Sequence, residues 1–440
     1  DDWETFITGG EDGLQTADFP TIGINDTTRS QIKQGSLGDY LGVPIPPQTT
    51  TIEETVLISA LPFRAYQEIY NEYYRDQNLT PKIDYGGKGS GNQNDNIATL
   101  APLRFRSWEK DYFTSALPWP QRGADVTLPT TTTPQYKDVS IVYNEDGTVV
   151  TGNGPIQHSD AGGYIGGVIT GTGNARIVNL EEEQEGTSVT INELRNATRL
   201  QEWLEKNARG GSRYIEQILS HFGVKSSDAR LQRPEYLGGG KSPVVISEVL
   251  NQAGSQGNEG DPALAPVGEM SGHGVSVGKT NGFTKHFEEH GQIIGIMSIL
   301  PRTAYNQGLD RHWTKFDKLD YYWPEFAHLG EQEILGKEIY TSYEGVATGN
   351  DDTFGYTPRY AEYKYKQSSV HGDMRTNLNY WHMGREFTQR PTLSTQFVQS
   401  DPTSRIFAVD DDNVTDKLYI QVYNKVDAVR PMPYYGTPYL

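Results

Sequence analysis

The longest apolar run in this chain of 440 residues is Ile293-Ile-Gly-Ile-Met-Ser-Ile-Leu300, far short of the roughly 20 residues a membrane span needs. Elsewhere apolar residues come in shorter runs, broken by 47 Gly and 24 Pro. That punctuation suits short strands joined by many turns and long polar loops better than a helical bundle. Only 35% of the residues are hydrophobic, yet 27 tyrosines can bury a large core, which argues against wholesale disorder. The length fits several average domains, or one large β domain with long insertions.

Several classes of function drop out. The chain has no Cys, which removes disulfide scaffolds, thiolate zinc sites and cysteine nucleophiles, and leaves the redox compartment undetermined. No signal peptide opens it; the start Asp1-Asp-Trp-Glu4 lacks Met, as a fragment or a processed product would. The net charge of −19 argues against stand-alone nucleic-acid binding, because phosphates are repelled overall, although local basic patches remain compatible with it.

Along the chain, residues 1–50 read as loop. A short amphipathic helix is expected over about 62–75, where Pro62 suits a first turn and Phe63, Tyr66, Ile69, Tyr70 and Tyr73 recur at helical spacing. Residues 84–98 read as loop, and Pro102–Trp108 alternates apolar with polar residues as a strand does. From 127 to 190 the composition turns Thr-, Gly- and Glu-rich, which reads as one surface insertion with its own β structure, exposed and mobile relative to the rest. Within it, a hairpin is expected over Val139–Val150 around Asn144-Glu-Asp-Gly147. A helical insertion follows over 191–223. Thr190 and Glu193 form a capping-box pair, Leu194, Ala197, Leu200, Leu204 and Ala208 make the stripe, and Gly210-Gly211 stops the helix. A second helix over 212–222 should turn Tyr214, Ile215, Ile218, Leu219 and Phe222 inward. Residues 238–282 read as loop-rich, and strands are expected at 284–300, 338–343, 403–409 and 416–426.

Motifs for chemistry are weak. His286-Phe-Glu-Glu-His290 has the spacing of a zinc peptidase helix, but Gly282 and Gly291 bracket it and an alternating strand pattern follows, which favours a polar strand entry. Gly238-Gly-Gly-Lys-Ser242 resembles the end of a phosphate loop, but Glu235 stands where the pattern needs Gly and Pro243 where a helix should open. The sequons at Asn25, Asn196 and Asn413 have no secretion signal behind them, and Asp410-Asp-Asp412 reads as a solvated turn rather than a cation site. No catalytic residue, cofactor site or metal site is assigned. The segment Arg359-Tyr-Ala-Glu-Tyr-Lys-Tyr-Lys366 interleaves aromatic with basic residues. As a strand it would set Arg359, Ala361, Tyr363 and Tyr365 on one face and Tyr360, Glu362, Lys364 and Lys366 on the other. Such a surface could stack single-stranded bases or serve as an amphipathic interface. The tryptophans Trp108, Trp119, Trp203, Trp313, Trp323 and Trp381 are expected in the core or at interfaces.

Several strings stand out together: Phe113-Thr-Ser-Ala-Leu-Pro-Trp-Pro-Gln121, Ala208-Arg-Gly-Gly-Ser-Arg-Tyr214, Ser220-His-Phe-Gly-Val224, Asp228-Ala-Arg-Leu-Gln-Arg-Pro-Glu-Tyr-Leu-Gly-Gly239, Glu289-His-Gly291, Tyr322-Trp-Pro324, His328-Leu-Gly-Glu-Gln332, Phe354-Gly-Tyr356, Arg359-Tyr-Ala-Glu-Tyr363 and Arg430-Pro-Met-Pro433. Taken together they resemble the major capsid proteins of the Microviridae, most closely the gokushovirus branch. They occur in the family's order over most of the chain. The resemblance implies a mainly β fold, an eight-stranded antiparallel jelly roll with long loop and helical insertions. The single domain would span 1–440, and its N-terminal strands would be absent from this chain.

The same resemblance implies a non-enzymatic subunit of a virion. Many identical copies would form an icosahedral shell, assembled in the bacterial cytoplasm without membrane insertion. The shell would enclose a circular single-stranded DNA genome, with a small basic DNA-binding protein and with scaffolding and pilot proteins as partners. The 127–190 insertion would rise at a threefold axis and meet a host surface receptor, with Tyr136, Tyr143, Asp146, His158 and Tyr164 as contact candidates. Arg359, Tyr360, Tyr363, Lys364, Tyr365 and Lys366 are the candidates for DNA or interface contact. The charge of −19 fits this picture, since such a shell needs a basic partner to neutralise DNA. The alternative reading is a jelly-roll module that binds carbohydrate or a receptor.

Overall fold

The computed structural model describes residues 8–14, 20–85, 96–127, 142–143, 156–158, 165–167, 176–177, 190–227, 233–250, 270–278, 282–343, 349–407, 417–432 and 435–436. The chain divides into two compact units, Asp1–Pro118 with Ser212–Leu440, and Trp119–Gly211.

The first unit holds two apolar clusters. One forms where β1 (Thr21–Ile24) pairs antiparallel with β2 (Val56–Ser59), Ile22 opposite Ile58. Ala60 leads directly into α1 (Leu61–Ile69), with Pro62 in the first turn, where a missing N–H costs nothing. Ile22, Ile24, Ile32, Leu37, Phe63, Ile97 and Leu100 bury together there. The helix ends in a π turn, Tyr70–Tyr74, so the expected helix over 62–75 is present. Buried Asn71 imitates a backbone pair at that turn: its Nδ2 donates to the Ile83 carbonyl at 2.9 Å and its Oδ1 accepts from Ile83 N at 2.8 Å.

The other cluster is aromatic. Phe113 lies edge-on to Tyr112, Tyr305 and Phe354, with centroids 5.2, 4.9 and 6.0 Å away, and Phe354 lies edge-on to Phe397. Ile334, Ile339 and Val398 complete it. Asp111 fixes the turn that delivers Phe113. Its Oδ1 accepts from Phe113 N and from the backbone and hydroxyl of Thr114, while its Oδ2 accepts from the hydroxyls of Thr303 and Tyr305. A carboxylate with so many donors can sit beside a core without an orphaned charge. Glu338 does the same from the other side, accepting from Tyr112 OH at 2.9 Å, Leu335 N at 3.0 Å and Arg311 Nη1 at 3.1 Å. Burial still pushes the Glu338 carboxyl above its ordinary value, with Arg311 opposing the shift.

β9 (Glu331–Leu335) and β10 (Thr353–Pro358) frame this cluster as an antiparallel pair with a bulge between Thr353 and Gly355. Leu117 joins β10 through a reciprocal pair with Tyr356, N–H to O at 2.9 and 2.8 Å. Gly355 is needed for that approach: a Cβ there would lie 3.0 Å from Ala116 Cβ and 3.1 Å from the Leu117 carbonyl oxygen. Further on, β7 (Val245–Leu250) pairs antiparallel with β8 (Met270–Val275).

In the second unit, β3 (Val142–Tyr143) pairs with β6 (Arg176–Ile177) and β4 (Ile156–His158) with β5 (Ile165–Gly167), both antiparallel. α2 (Ile191–Gly210) opens on the expected capping box, Glu193 N donating to Thr190 Oγ1 and Thr190 N to Glu193 Oε2. Leu204 meets the 122–123 turn through a hydrogen bond from Arg122 N at 3.4 Å. All the strands among the described residues form two-stranded antiparallel sheets, five in number.

Several expectations need correction. α3 (Tyr214–Phe222) exists with Ile215 and Ile218 half-buried, but none of its residues is fully buried, and Tyr214, Leu219 and Phe222 face solvent rather than inward. On α2, Leu194 and Leu200 are likewise exposed. The region 238–282 contains the β7–β8 ladder. Pro102–Trp108 makes only one bridge, Ser107 to Gln399, and turns Leu103 and Phe105 outward while Arg104 reaches in to Gln67 Oε1. Gly336–Ile339 is a helical turn rather than a strand, because the Glu338 carboxylate caps Leu335 N. Residues 405–407 form a turn, and residues 284–300 and 417–426 form neither strand nor helix. Val142–Tyr143 pairs with 176–177, and the expected partner at 148–150 lies outside the described residues, as do Asp410–Asp412 and most of 127–190.

The Gly355 contact is testable. Gly355→Ala should lower the free energy of unfolding by about 1–3 kcal/mol through overpacking, read by denaturant titration. A variant as stable as the parent would contradict the close approach.

Candidate assembly surface

Between Asp310 and Gly330 the chain makes three short 3-10 turns, Arg311–Thr314, Lys318–Asp320 and Pro324–Phe326. The turns are built by local acceptors. Asp310 Oδ1 accepts from His312 N, and Asp320 Oδ2 accepts from Phe316 N and Asp317 N. Those two backbone donors hold the Asp320 carboxyl below its ordinary value. Because side-chain acceptors satisfy the backbone, the rings need not pack inward to hold the shape. Trp313, Phe316, Leu319, Tyr321, Tyr322, Trp323 and Leu329 all project to solvent, Phe316 at 89% and Trp313 at 65% exposure. Single exposed apolar residues are ordinary, but a concentration of large rings on one rigid segment marks a contact surface.

What anchors this surface is the segment that the sequence offered as an aromatic and basic strand. It is not a strand. Tyr360 adopts a left-handed backbone, φ +62°, and Ala361–Tyr363 form a 3-10 turn, so residues 359–366 do not alternate between two faces. The cause is visible at the end of β10. Arg359 N donates to the Gly330 carbonyl and Tyr360 N to Gln332 Oε1, which turns the chain back over β9. Buried Tyr360 accepts from Trp323 N through its hydroxyl, and exposed Tyr363 accepts from Tyr322 N. Tyr322 lies edge-on to both rings, at 5.0 and 6.2 Å.

Two ion pairs complete the anchor. Lys315, with only 6% of its side chain exposed, sits 3.3 Å from Glu362, donates to Tyr363 OH at 2.8 Å and lies 4.0 Å from the Tyr363 ring centroid. Glu362 takes a further hydrogen bond from Gln332 Nε2 at 2.7 Å. Lys366 Nζ reaches Asp310 Oδ2 at 2.6 Å, and His312 Nδ1 lies 2.8 Å from Asp310 Oδ1. Partial burial pushes the Asp310 carboxyl up, but the hydrogen bonds from Lys366 and His312 outweigh it and bring the value down to about 2.

Of the sequence candidates in 359–366, then, Tyr360 is buried and cannot stack a base, Lys366 is engaged with Asp310, and Arg359 lies over the Tyr360 ring at 5.0 Å. Tyr363, Lys364 and Tyr365 stay exposed. In the insertion, Tyr143 stands on β3 and His158 on β4, while Tyr136, Asp146 and Tyr164 lie outside the described residues. His286–His290 are exposed and form no helix, so the two histidines do not share a helix face. Trp108 is in the core, and Trp203, Trp313 and Trp323 are exposed in the single chain. Reasoning from periodicity missed the surface at 313–329 because that segment has neither period. The available signal was a density of aromatic residues among turn-forming Asp residues.

The Asp310 pair gives the surface a pH dependence. A carboxyl whose value falls on folding adds stability above its unfolded value and loses it as the pH drops toward the folded one, here between 3.8 and about 2. Asp310→Asn should therefore melt below the parent at neutral pH and converge on it as the pH approaches about 2. A gap that stays constant across that range would contradict the assignment.

The model of the capsid protein (F protein) family of phages matches residues 1–440. The capsid protein VP1 of Chlamydia phage 1 is 36% identical over 515 aligned residues, which cover 100% of this chain and 84% of the relative. The capsid protein VP1 of Bdellovibrio phage phiMH2K is 36% identical, with coverage of 100% and 82%, and that of Spiroplasma virus 4 is 30% identical, with coverage of 99% and 82%. An exposed aromatic surface held on a rigid base, in a chain matched from end to end, has a ready explanation in a protein whose work is to adhere to others. This chain belongs to the phage capsid protein (F protein) family, as a major capsid protein of the Microviridae type and a component of the virion.

Proposed function

We infer that the chain is a jelly-roll subunit that associates with many identical copies into an icosahedral shell around circular single-stranded DNA, and that it acts without catalysis. The observation that carries this reading is the aromatic surface at 313–329. Trp313 and Phe316 are mostly exposed, and the segment is too firmly supported to be a loose loop. Buried aromatic anchors of this kind supply most of the energy of protein interfaces.

Other features support the finer parts. The described strand pairs are all antiparallel. The segments 293–299 and 418–423 leave apolar residues exposed, Ile293, Met297 and Ile299 in one and Leu418, Tyr419, Ile420, Val422 and Tyr423 in the other, which neighbouring copies would cover. The net charge of −19 calls for a small basic protein to neutralise the packaged DNA, beside scaffolding and pilot proteins during assembly. Exposed Tyr363, Lys364 and Tyr365 are the remaining candidates of their segment for DNA or interface contact. We assign host contact to the Thr-, Gly- and Glu-rich 127–190 stretch on its composition, with Tyr136, Tyr143, Asp146, His158 and Tyr164 as candidates.

Negative-stain microscopy of the purified chain should show small round shells or pentameric assemblies; monomer under every condition would overturn the reading. Removing 130–188 should leave assembly intact and abolish binding to host cells. Loss of assembly in that variant would instead give the insertion a structural role.

A further inference from the structure

A second apolar surface on the same chain has no cover. α3 (Tyr214–Phe222) turns Tyr214, Leu219 and Phe222 to solvent, and Val224 continues the exposed face. A helix of nine residues does not hold itself together by propensity alone. Its base is firmly tied: Arg213 Nη2 donates to the Asn71 carbonyl at 3.0 Å, Arg213 Nη1 meets Glu216 at 3.2 Å, and Ser212 donates twice to Gln77 Oε1. The helix is thus a fixed element that half-buries Ile215 and Ile218 but leaves Tyr214, Leu219 and Phe222 uncovered, far in sequence from the rings at 313–329.

Three considerations join the two surfaces. First, a capsid chain makes a closed assembly, and contacts around a rotation axis higher than twofold join two different patches of the same chain. Second, the charges at the rims are complementary. Exposed Asp317, Asp320 and Glu325 outnumber Lys318 at the aromatic surface, whereas α3 is followed by exposed Lys225. Third, packing the aromatic surface against its own copy would set Asp317, Asp320 and Glu325 beside one another, and like charges at an interface are costly. We propose that the aromatic surface of one copy, centred on Trp313, Phe316 and Trp323, packs against the α3 face of a neighbouring copy, Tyr214, Leu219 and Phe222. The contact runs head to tail, and it rests on the self-assembly reading above.

The absence of Cys makes the test clean, because introduced thiols are the only ones present. Phe316→Cys and Phe222→Cys are assembled separately and as a mixture, then treated with a short bis-maleimide and run on a denaturing gel. Leu319→Cys with Leu219→Cys serves as a second pair. All four positions are exposed, so thermal unfolding of each variant should match the parent. The expected result is covalent dimer in the mixtures and none in any single variant. Dimer from Phe316→Cys or Leu319→Cys alone would reveal a contact between like surfaces and overturn the proposal. Assemblies that form but yield no dimer from either mixture would overturn it too. A parent chain that never assembles would remove the reading beneath it, a failure told apart by microscopy of the same samples.

Discussion

The buried pair of Lys315 and Glu362 determines where the exposed aromatic surface at 313–329 can sit. A lysine with almost no water contact is tolerated only where a partner and further acceptors surround it. Here Glu362, Tyr363 OH and the Tyr363 ring do so, and Gln332 holds Glu362 in turn. That knot ties the 310–330 turns to the end of β10. The left-handed Tyr360 follows from the same constraint, since the chain must reverse within one residue to bring Glu362 and Tyr363 back over β9. A conformation unfavourable for a bulky residue is stabilised by the packing and hydrogen bonding of its own ring.

The interior repeats this logic. Asp111 and Glu338 are carboxylates at the edge of an aromatic cluster, each with several donors, and each fixes a turn that delivers core side chains. Beside the aliphatic cluster around Ile22 and Leu100, the chain organises its second cluster around polar knots and edge-on rings. A consequence is a large remainder of apolar surface on the outside, which in a capsid protein is an asset, because the neighbours supply the missing cover.

How much of this was legible beforehand depends on whether the determinant is local. The capping box at Thr190, the Pro62 helix start and the stop at Gly210-Gly211 are local, and they were readable. On α3 Ile215 and Ile218 are half-buried as expected, but Tyr214, Leu219 and Phe222 are not, because an apolar stripe on a helix reports that something covers it, not that the same chain does. Residues 338–343 looked like a strand because composition does not display the Glu338 cap, which depends on the turn after β9 and on Tyr112, far away in sequence. The segment 359–366 was singled out for the right residue types and given the wrong backbone. Its turn is set by Gly330 and Gln332, which no pattern within 359–366 encodes. Three of the strings behind the family resemblance, Phe113–Gln121, Phe354–Tyr356 and Arg359–Tyr363, supply this core and its supports, whereas others such as Glu289–Gly291 lie exposed.

Function in this chain resides in what its surfaces leave unfinished, and the most direct measurement is a reconstruction of the assembled particle at side-chain detail. The account predicts that Trp313, Phe316 and Trp323 lose their solvent exposure at a contact between subunits, while Lys315 and Glu362 keep the pairing described above. A particle in which these rings still face open solvent, or in which the 310–330 turns detach from Tyr360 and Tyr363, would contradict it.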